Sequence, residues 1–339
     1  MAGVEDAKLA VNRAYKNGDI SALFGGDCGD GTTSTFLLKK YLYGDTAGEV
    51  KIQDTNSNGN STEQAYTCVI LRNELDDYRS TLTSDTRTKV VPLGIGTNQL
   101  SNVKRIEVSW YSKENGLNFK NLANGSVSNK KLPNKSGAPT PPALSVTLLR
   151  TGGSIELNSF NTSESENYSS MLLFPVAEGY TGGTNSLSLQ QIKNAGDSKD
   201  ANTPYFIKCA KGQDFACNAT LYMSSGTENG MSGIENAMLI ISMPYGDTVT
   251  DFQVVMYDSE TGGKPIKFYN VQISVDSTGR ANQLVRRVET RLDPADLFFP
   301  YPEYEVELTG DGNDSFKKNF WITANCWTDK GICANNGSV

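Results

Sequence analysis

The sequence predicts a mainly β protein of the α+β class, in which a short N-terminal amphipathic helix precedes a large antiparallel β-sandwich-like body with long loops. Three observations predict this class. They are a helical apolar pattern at the start of the chain, about a dozen strand-like segments after it, and a composition rich in turn-forming residues. Of the 339 residues, 32 are glycine and 37% are hydrophobic. Such a composition suits many short strands joined by polar turns.

The helix is predicted from the apolar pattern of the first residues. Five apolar side chains share one side of a helical period: Val4, Ala7, Val11, Ala14 and Tyr15. Asn17 and Gly18 follow them and are residues that end helices. Helical propensity continues from Ile20 to Phe24, until a glycine-rich stretch breaks it. We therefore assign residues 1–24 to a helical N-terminal region.

The strongest strand signal is a hairpin at Ile266–Leu292, where a turn-forming Asp276–Gly279 segment joins two alternating runs. One face of the first run holds Tyr269, Val271, Ile273 and Val275, and one face of the second holds Leu284, Val288, Thr290 and Leu292. Further strands are predicted at Ala65–Ile70, Lys89–Leu93, Val103–Tyr111, Leu144–Arg150, Met171–Ala177, Tyr205–Ala210, Ala219–Met223, Met238–Met243 and Asp251–Tyr257.

Residues 116–142 are poor in apolar side chains and end in a proline-rich stretch, which excludes both helix and central strand. We interpret them as the loop of a long hairpin that pairs Val103–Tyr111 with Leu144–Arg150. Residues 25–339 then form one β-rich body. The alternative is a linker that splits the protein near residue 135 into two β domains.

Composition also limits the function. A net charge of -7 and an isoelectric point near 4.9 argue against nucleic acid or an anionic membrane surface as the partner. Histidine is absent, which excludes Ser-His-Asp and Cys-His mechanisms and removes the commonest metal ligand. No compact motif for another mechanism stands out. We expect a protein that is not an enzyme and has no cofactor.

The six cysteines fall in three neighbourhoods along the chain. Because loop closure favours sequence neighbours, the predicted disulfides are Cys28 with Cys68, Cys209 with Cys217, and Cys326 with Cys333. Three disulfides imply an oxidising compartment. The alternatives are buried thiols in a cytosolic protein, or a zinc site. Zinc is disfavoured because no CxxC spacing and no histidine is present.

Several segments resemble the large type IV pilin-like surface proteins of small epibiotic bacteria. They are RIEVSWY at Arg105–Tyr111, PPALSVTLLR at Pro141–Arg150, VDSTGRANQLVRRVETRLDP at Val275–Pro294, FPYPEYEV at Phe299–Val306, and a closing NCW and cysteine at Asn325–Cys333. These segments span most of the chain, and those in its last third are the most specific.

The resemblance implies a hydrophobic N-terminal helix that anchors the protein in the membrane before assembly and packs in the pilus core afterwards. Val4–Tyr15 would be the exposed remainder of that helix. The polar start of the chain lacks a secretory signal, so we expect that a targeting segment is missing. The implied partners are other pilin subunits or a host-cell surface, and the implied location is extracellular, at the cell surface or in the pilus. The resemblance transfers no catalytic residue.

A candidate interaction surface lies in the predicted hairpin, which contains four arginines: Arg280, Arg286, Arg287 and Arg291. Arg287 and Arg291 share its outer face with Glu289. Because a guanidinium group binds carboxylates through two parallel hydrogen bonds, this cluster suits an acidic partner surface or a carboxylated glycan. The alternative is a solvated strand face balanced by Glu289 and Asp293.

A second candidate surface is the segment Phe298–Tyr304. It contains two prolines and four aromatic residues: Phe298, Phe299, Tyr301 and Tyr304. Prolines stiffen the backbone and aromatic side chains offer large contact areas, as an exposed recognition strip requires. The alternative is a buried edge that closes the core behind the last hairpin.

One segment carries part of a calcium-binding pattern. Asp54, Asn56 and Asn58 follow the opening of a calcium loop. The bidentate acid that closes such a loop is missing, because the twelfth position is Ala65 and Glu63 comes two residues early. We therefore interpret the segment as a polar loop without a metal.

The sequence thus favours a structural and interaction protein, which presents a disulfide-stapled β domain for pilus assembly or host-cell attachment. An alternative hypothesis is a free secreted adhesin module that binds carbohydrate or protein and is unrelated to pili. A third is a carboxylate-pair hydrolase, which needs two acidic groups about 5 to 10 Å apart in a cleft.

Overall fold

The computed structural model of the chain describes residues 2–17, 49–52, 64–95, 98–115, 141–151, 168–188, 204–210, 213–223, 231, 234–244, 249–281 and 284–293. In these ranges the protein is mainly β, with one N-terminal α-helix and two sheets. This confirms the predicted fold class. The sandwich-like packing of the body stays a prediction.

The helix α1 spans Ala2–Asn17. The strands are β1 Glu49–Ile52, β2 Gln64–Leu75, β3 Tyr78–Leu82, β4 Thr88–Ile95, β5 Arg105–Ser112, β6 Leu144–Thr151, β7 Tyr168–Ala177, β8 Ser186–Ser188, β9 Tyr205–Cys209, β10 Phe215–Tyr222, β11 Asn236–Ser242, β12 Thr250–Tyr257, β13 Pro265–Ile266, β14 Phe268–Ala281 and β15 Leu284–Leu292. Every predicted strand overlaps one of these. The pattern does not predict β1, β3, β8 and β13, because strands this short show too few alternations.

The chain forms two compact units. Unit 1 comprises residues 1–75 and 268–299, and unit 2 comprises residues 76–267 and 300–339. Residues 76–267 of unit 2 are therefore inserted between β2 and β14 of unit 1. This division differs from the predicted one, whose boundaries after residue 24 and near residue 135 both lie outside the described residues.

Unit 1 is an antiparallel sheet of order β1-β2-β14-β15 with α1 packed on one face. The predicted apolar side of the helix is confirmed for four residues, which form one core with β2 and β14. This core consists of Val4, Ala7, Val11, Ala14, Tyr66, Val69, Ile273 and Val275. The side chain of Tyr15 lies outside the described part of the chain.

A bulge in β2 keeps the sheet apolar toward the helix. Val69 pairs with Ser277, whereas Thr67 pairs with Thr278, so Cys68 is an extra residue on β2. Side chains alternate along a regular strand, and residues three apart then point to opposite faces. The extra residue reverses that alternation. As a result, Tyr66 and Val69 both contact the helix.

The predicted turn at Asp276–Gly279 is wrong, because these residues lie inside β14. The β14–β15 pairing continues without a shift to Ala281 and Leu284, so the hairpin connection comes after Ala281. The turn-forming residues coincide instead with the register shift against β2, between Ser277 and Thr278. Glycine inside a strand is typical of such an irregularity.

The predicted core position of Tyr269 is also wrong, since this side chain is exposed. The register between β14 and β2 shifts between Tyr269 and Ser274. Asn270 adopts a left-handed conformation with a φ of 56°, and its side chain accepts a hydrogen bond from Asn73 Nδ2 at 2.8 Å. Asparagine tolerates this conformation better than most residues. The irregularity breaks the simple alternation on which the prediction depended.

Unit 2 contains one sheet of order β13-β12-β5-β10-β9-β7-β6-β11-β4, with β3 paired to β12 and β8 paired to β10. The pairs are antiparallel except β7–β9 and β10–β8. The predicted hairpin of β5 with β6 is wrong, because β5 pairs with β10 and β12 while β6 pairs with β7 and β11. The largest side chains with full burial include Trp110, Tyr78, Tyr111 and Phe252.

Arg105, the first residue of β5, forms hydrogen bonds with the turn after β12. Its Nη1 donates to the carbonyl oxygens of Ser259 and Gly262 at 2.6 and 2.7 Å, and its Nε donates to Glu107 at 3.0 Å. The guanidinium carbon lies 3.8 Å from the centroid of the Tyr257 ring. The buried arginine therefore has a structural role, since these groups bind its Nη1 and Nε donors and contact its face.

The predicted disulfide between Cys209 and Cys217 is confirmed. The two residues face each other in the β9–β10 pairing, with a Cα–Cα distance of 4.3 Å. Cys28, Cys326 and Cys333 lie outside the described residues, as does the side chain of Cys68.

We expect Gly3→Ala to destabilise unit 1 by about 1–3 kcal/mol, the usual range for an overpacked contact. A Cβ atom at Gly3 would lie 2.8 Å from Tyr66 Cδ2 and would also touch Ser277 Oγ, so α1 would have to move off the sheet. Urea unfolding followed by circular dichroism measures the loss. Leu9→Ala, at an exposed position of the same helix, is the control and should change stability by less than about 0.5 kcal/mol. Equal stability of Gly3→Ala and the wild type would contradict the close packing.

Replacing both cysteines of the bridge, as Cys209→Ala with Cys217→Ala, should cost about 2–3 kcal/mol of unfolding free energy. The bridge joins residues that are eight apart, and the estimate follows from the chain entropy that so short a loop removes from the unfolded state. Guanidinium unfolding of unit 2 measures the cost. Non-reducing peptide mass mapping of the wild type verifies the linkage, and an unchanged midpoint in the double variant would refute the expected stabilisation.

Candidate interaction surface

The sheet of unit 1 carries a row of polar side chains on the face opposite α1. Ile273 and Val275 pack toward the helix, so the residues between and beside them on β14 point the other way. Residues paired across antiparallel strands share a face, which adds the matching residues of β15. We call the following six residues the polar face: Gln272, Ser274, Asp276, Arg287, Glu289 and Arg291.

An ion pair between Arg287 and Asp276 is the strongest contact of the polar face. Arg287 Nε donates to Asp276 Oδ1 at 2.7 Å, and Arg287 Nη2 donates to Asp276 Oδ2, so both carboxylate oxygens are bound. The side chain of Asp276 is 3% exposed, whereas that of Arg287 is 66% exposed. The pair therefore joins a buried carboxylate to a guanidinium group that still faces solvent.

The ionisation of Asp276 follows from this contact. The hydrogen bond from Arg287 and the charge of its guanidinium lower the pKa of Asp276, with help from the charge of Arg72, and together they outweigh the opposing effect of burial. The same hydrogen bond raises the pKa of Arg287. Asp276 is thus a bound carboxylate at neutral pH, and both oxygens that a general base would use are occupied.

The other contacts of the polar face join β15 and β14 residues along the same diagonal as the Arg287–Asp276 ion pair. Ser274 Oγ donates to Glu289 Oε1 at 3.0 Å, and Arg291 Nη1 lies 3.5 Å from Gln272 Oε1. In each case the side chain on β15 reaches a β14 residue two positions away from the one directly opposite it. Such diagonal neighbours lie within reach of long side chains. The polar face is therefore a row of three cross-strand contacts along the hairpin.

The structure places the arginines of the predicted surface on different faces. Arg287 and Arg291 lie with Glu289 on the polar face, and Arg286 lies on the opposite face of β15, where it is exposed. The acid bound to Arg287 is Asp276 rather than one of the predicted counterions. The backbone of Arg280 belongs to β14, and its side chain lies outside the described part of the chain.

Other candidate residues lie outside the described residues. These are Asp54, Asn56 and Asn58 of the calcium-loop pattern, and Phe298, Phe299, Tyr301 and Tyr304 of the aromatic segment. Within the described ranges, no group of three or more histidine, cysteine or acidic side chains is arranged to hold a metal ion. The helix of the described chain falls short of the length and hydrophobicity that a membrane span requires.

The tip of the hairpin is apolar and exposed. Leu284 and Val285, the first residues of β15, are 79% and 66% exposed. The predicted alternation places Leu284 on the core face with Val288, but Leu284 lies at the start of β15, away from the core contacts of the strand. Asp276 is the site residue that the sequence pattern misses, because its neighbours suggest a turn. A hairpin closed after Ala281 would have placed it diagonally opposite Arg287.

No protein-family model matches this sequence, and no curated protein is significantly similar to it.

We expect Arg287→Gln to lower the melting temperature at pH 7, and to lower it less at pH 3. The pKa of Asp276 is lower in the folded than in the unfolded protein, so its ion pair stabilises the fold above the unfolded value near 4. That stability is lost as the pH falls through the folded pKa. The variant lacks the contribution at every pH. Calorimetry of both proteins across this range measures the difference.

Arg286→Gln is the matched control, because it removes an equal charge from the exposed opposite face of the same strand. It should leave the melting temperature nearly unchanged at both pH values. A loss in Arg287→Gln that is as large at pH 3 as at pH 7 would show that the ion pair with Asp276 is not its cause.

Proposed function

We propose that this chain is the extracellular part of a type IV pilin-like surface protein, which displays a β-rich body for filament assembly or attachment and catalyses no reaction. The observation that carries the proposal is the packing of α1 on the antiparallel sheet of unit 1. The resemblance of the sequence implies a helix that belongs to a pilus at one end and to a globular β body at the other. A helix held on a sheet by its apolar side suits that double role.

The contacts of α1 support a firm attachment of the helix. Val4 and Val11 are buried, and small residues such as Ala7 and Ala14 let the helix approach the sheet closely. Burial of such a stripe stabilises by roughly 25 cal/mol for each Å² of apolar surface removed from water. A force applied to the helix would therefore be passed to the sheet through a packed core and not through a flexible linker.

The motifs that carry the resemblance form scaffold in unit 2. RIEVSWY forms most of β5, and PPALSVTLLR leads into and forms most of β6. The two motifs touch, because Trp110 Nε1 donates to the carbonyl oxygen of Pro142 at 3.0 Å in a buried position. Residues of β5 and β6 that are held in this way determine the shape of unit 2. They suit a body that is displayed.

The disulfide between Cys209 and Cys217 supports an extracellular location. Disulfides persist in oxidising compartments and are rare in reducing ones. The bridge is buried between neighbouring strands, where it stabilises the pairing of β9 with β10. A stabilised pairing is useful to a protein that is exposed to solvent and proteases outside the cell.

The proposal is tested on the cells that carry the gene. Antibodies raised against this chain, with gold-labelled detection in electron microscopy, should mark surface filaments or the cell envelope, and label should disappear when the gene is deleted. Label found only in the medium would favour a free secreted adhesin module instead. Label found only in the cytoplasm would overturn the proposal.

A pair of variants then tests the role of the helix. Leu9 is an apolar residue of α1 that is 57% exposed, and Val249 is an apolar residue of unit 2 that is 51% exposed. Leu9→Glu should reduce filament incorporation at least tenfold, since it places a charge on the side of the helix left open for packing. Val249→Glu makes the same change outside the helix and should leave incorporation unaltered. Equal effects of the two variants would contradict a specific role of α1.

A further inference from the structure

The edges of the two sheets differ in how well they are protected against pairing with another strand. Among the described strands, β1 and β15 end the sheet of unit 1, and β13 and β4 end the main order of the sheet of unit 2. β3 and β8, of five and three residues, also pair on one side only, with β12 and β10. Natural edges are protected by short length, by proline, by irregular pairing or by charged side chains. β1 has four residues and β13 has two, while β4 contains Pro92 and a register shift. β15 is long, regular and free of proline, and its protection consists of charged side chains of both signs.

β15 is a regular strand with a free edge among the described strands. Its nine residues pair with β14 at one constant register and include no proline or glycine. On its other side, it pairs with no strand of the described chain. Leu284 and Val285 add an exposed apolar end to this edge. An edge that is long, regular and partly apolar is suited to strand addition.

The charges of β15 select the partner. Arg287 and Glu289 flank Val288, so a second copy of β15 that runs antiparallel about Val288 brings each arginine opposite a glutamate. A two-fold axis perpendicular to the sheet relates such strands and keeps equivalent faces on the same side. The resulting opposite pairs are Leu284 with Leu292, Val285 with Arg291, Arg286 with Thr290, Arg287 with Glu289, and Val288 with itself.

We propose that two copies of this chain associate through their β15 strands, antiparallel and centred on Val288, to join two four-stranded sheets into one of eight strands. Two Arg287–Glu289 pairs and two Leu284–Leu292 contacts hold the dimer. Opposite charges that face each other across antiparallel strands stabilise the pairing, whereas like charges oppose it. The proposal depends on unit 1 alone and is independent of the pilin-like function.

Neighbouring registers are less favourable. A centre at Arg287 would place Arg287 opposite its own copy, and a centre at Glu289 would do the same with Glu289 and would also oppose Arg287 to Arg291. A centre at Thr290 matches charges but leaves Leu284 and Val285 beyond the paired region. The register about Val288 pairs all nine residues of β15, covers the apolar tip and contains no pair of like charges.

The first test is analytical ultracentrifugation of the full chain over a wide concentration range. A reversible monomer–dimer equilibrium is expected. Leu284→Lys should raise the dimer dissociation constant at least about tenfold, because it removes two symmetric apolar contacts at a position where the monomer is open to solvent. Val249→Lys, at an exposed valine of unit 2, is the control and should leave the constant unchanged. A monomer at all concentrations, or a dimer insensitive to Leu284→Lys, would overturn the proposal.

The second test fixes the register by cross-linking. Val288→Cys places a thiol on the two-fold axis, where it faces its own copy at a distance that a disulfide spans. With oxidised glutathione as the oxidant, a covalent dimer is expected on a non-reducing gel, absent from the wild type under the same conditions. Arg286→Cys is more exposed but lies four residues from its copy and should not cross-link. Cross-linking of Arg286→Cys, or its absence in Val288→Cys, would reject this register.

Discussion

Unit 1 depends on the apolar contact between α1 and the β2–β14 pair. A sheet of four strands has little stability unless one of its faces is covered. The helix covers that face with two valines and several small residues. The sheet meets this demand only because an extra residue at Cys68 turns Tyr66 and Val69 to the same side. A local irregularity in one strand is thus a condition for the packing of the whole unit.

Much of the fold follows from periodicity in the sequence. The apolar side of α1 and most strands could be predicted, because their side chains repeat at the intervals that helices and strands require. The hairpin connection could not, because the Asp276–Gly279 segment has turn-forming residues that the fold uses within a strand. Strand order could not be predicted from the sequence either. The partners of β5 and β6 are fixed by distant strands, on which local patterns carry no information.

At the candidate surface, too, the local sequence predicts some features, whereas the pairing of distant segments decides others. The arginines of the hairpin are visible in the sequence, and their alternation predicts which of them share a face. The pairing of Arg287 with Asp276 depends on where the hairpin closes. Because the predicted turn was misplaced, this ion pair could not be predicted. Once the register is fixed, the polar face and the charge pattern of β15 follow from one counting rule. Register is therefore the quantity that links this fold to its surface chemistry.

The insertion of residues 76–267 between β2 and β14 has a consequence for the order in which the chain folds. Leu75 and Phe268 are paired neighbours in the sheet, yet the whole of residues 76–267 separates them along the chain. Bringing such distant ends together costs entropy that an unstructured loop would pay in full. Collapse of residues 76–267 shortens the effective loop, so the chain gains if this segment of unit 2 collapses before β14 pairs with β2. A mutation in the core formed by residues 76–267 would then slow the pairing of β2 with β14, although none of the described strands of this segment belongs to the sheet of unit 1.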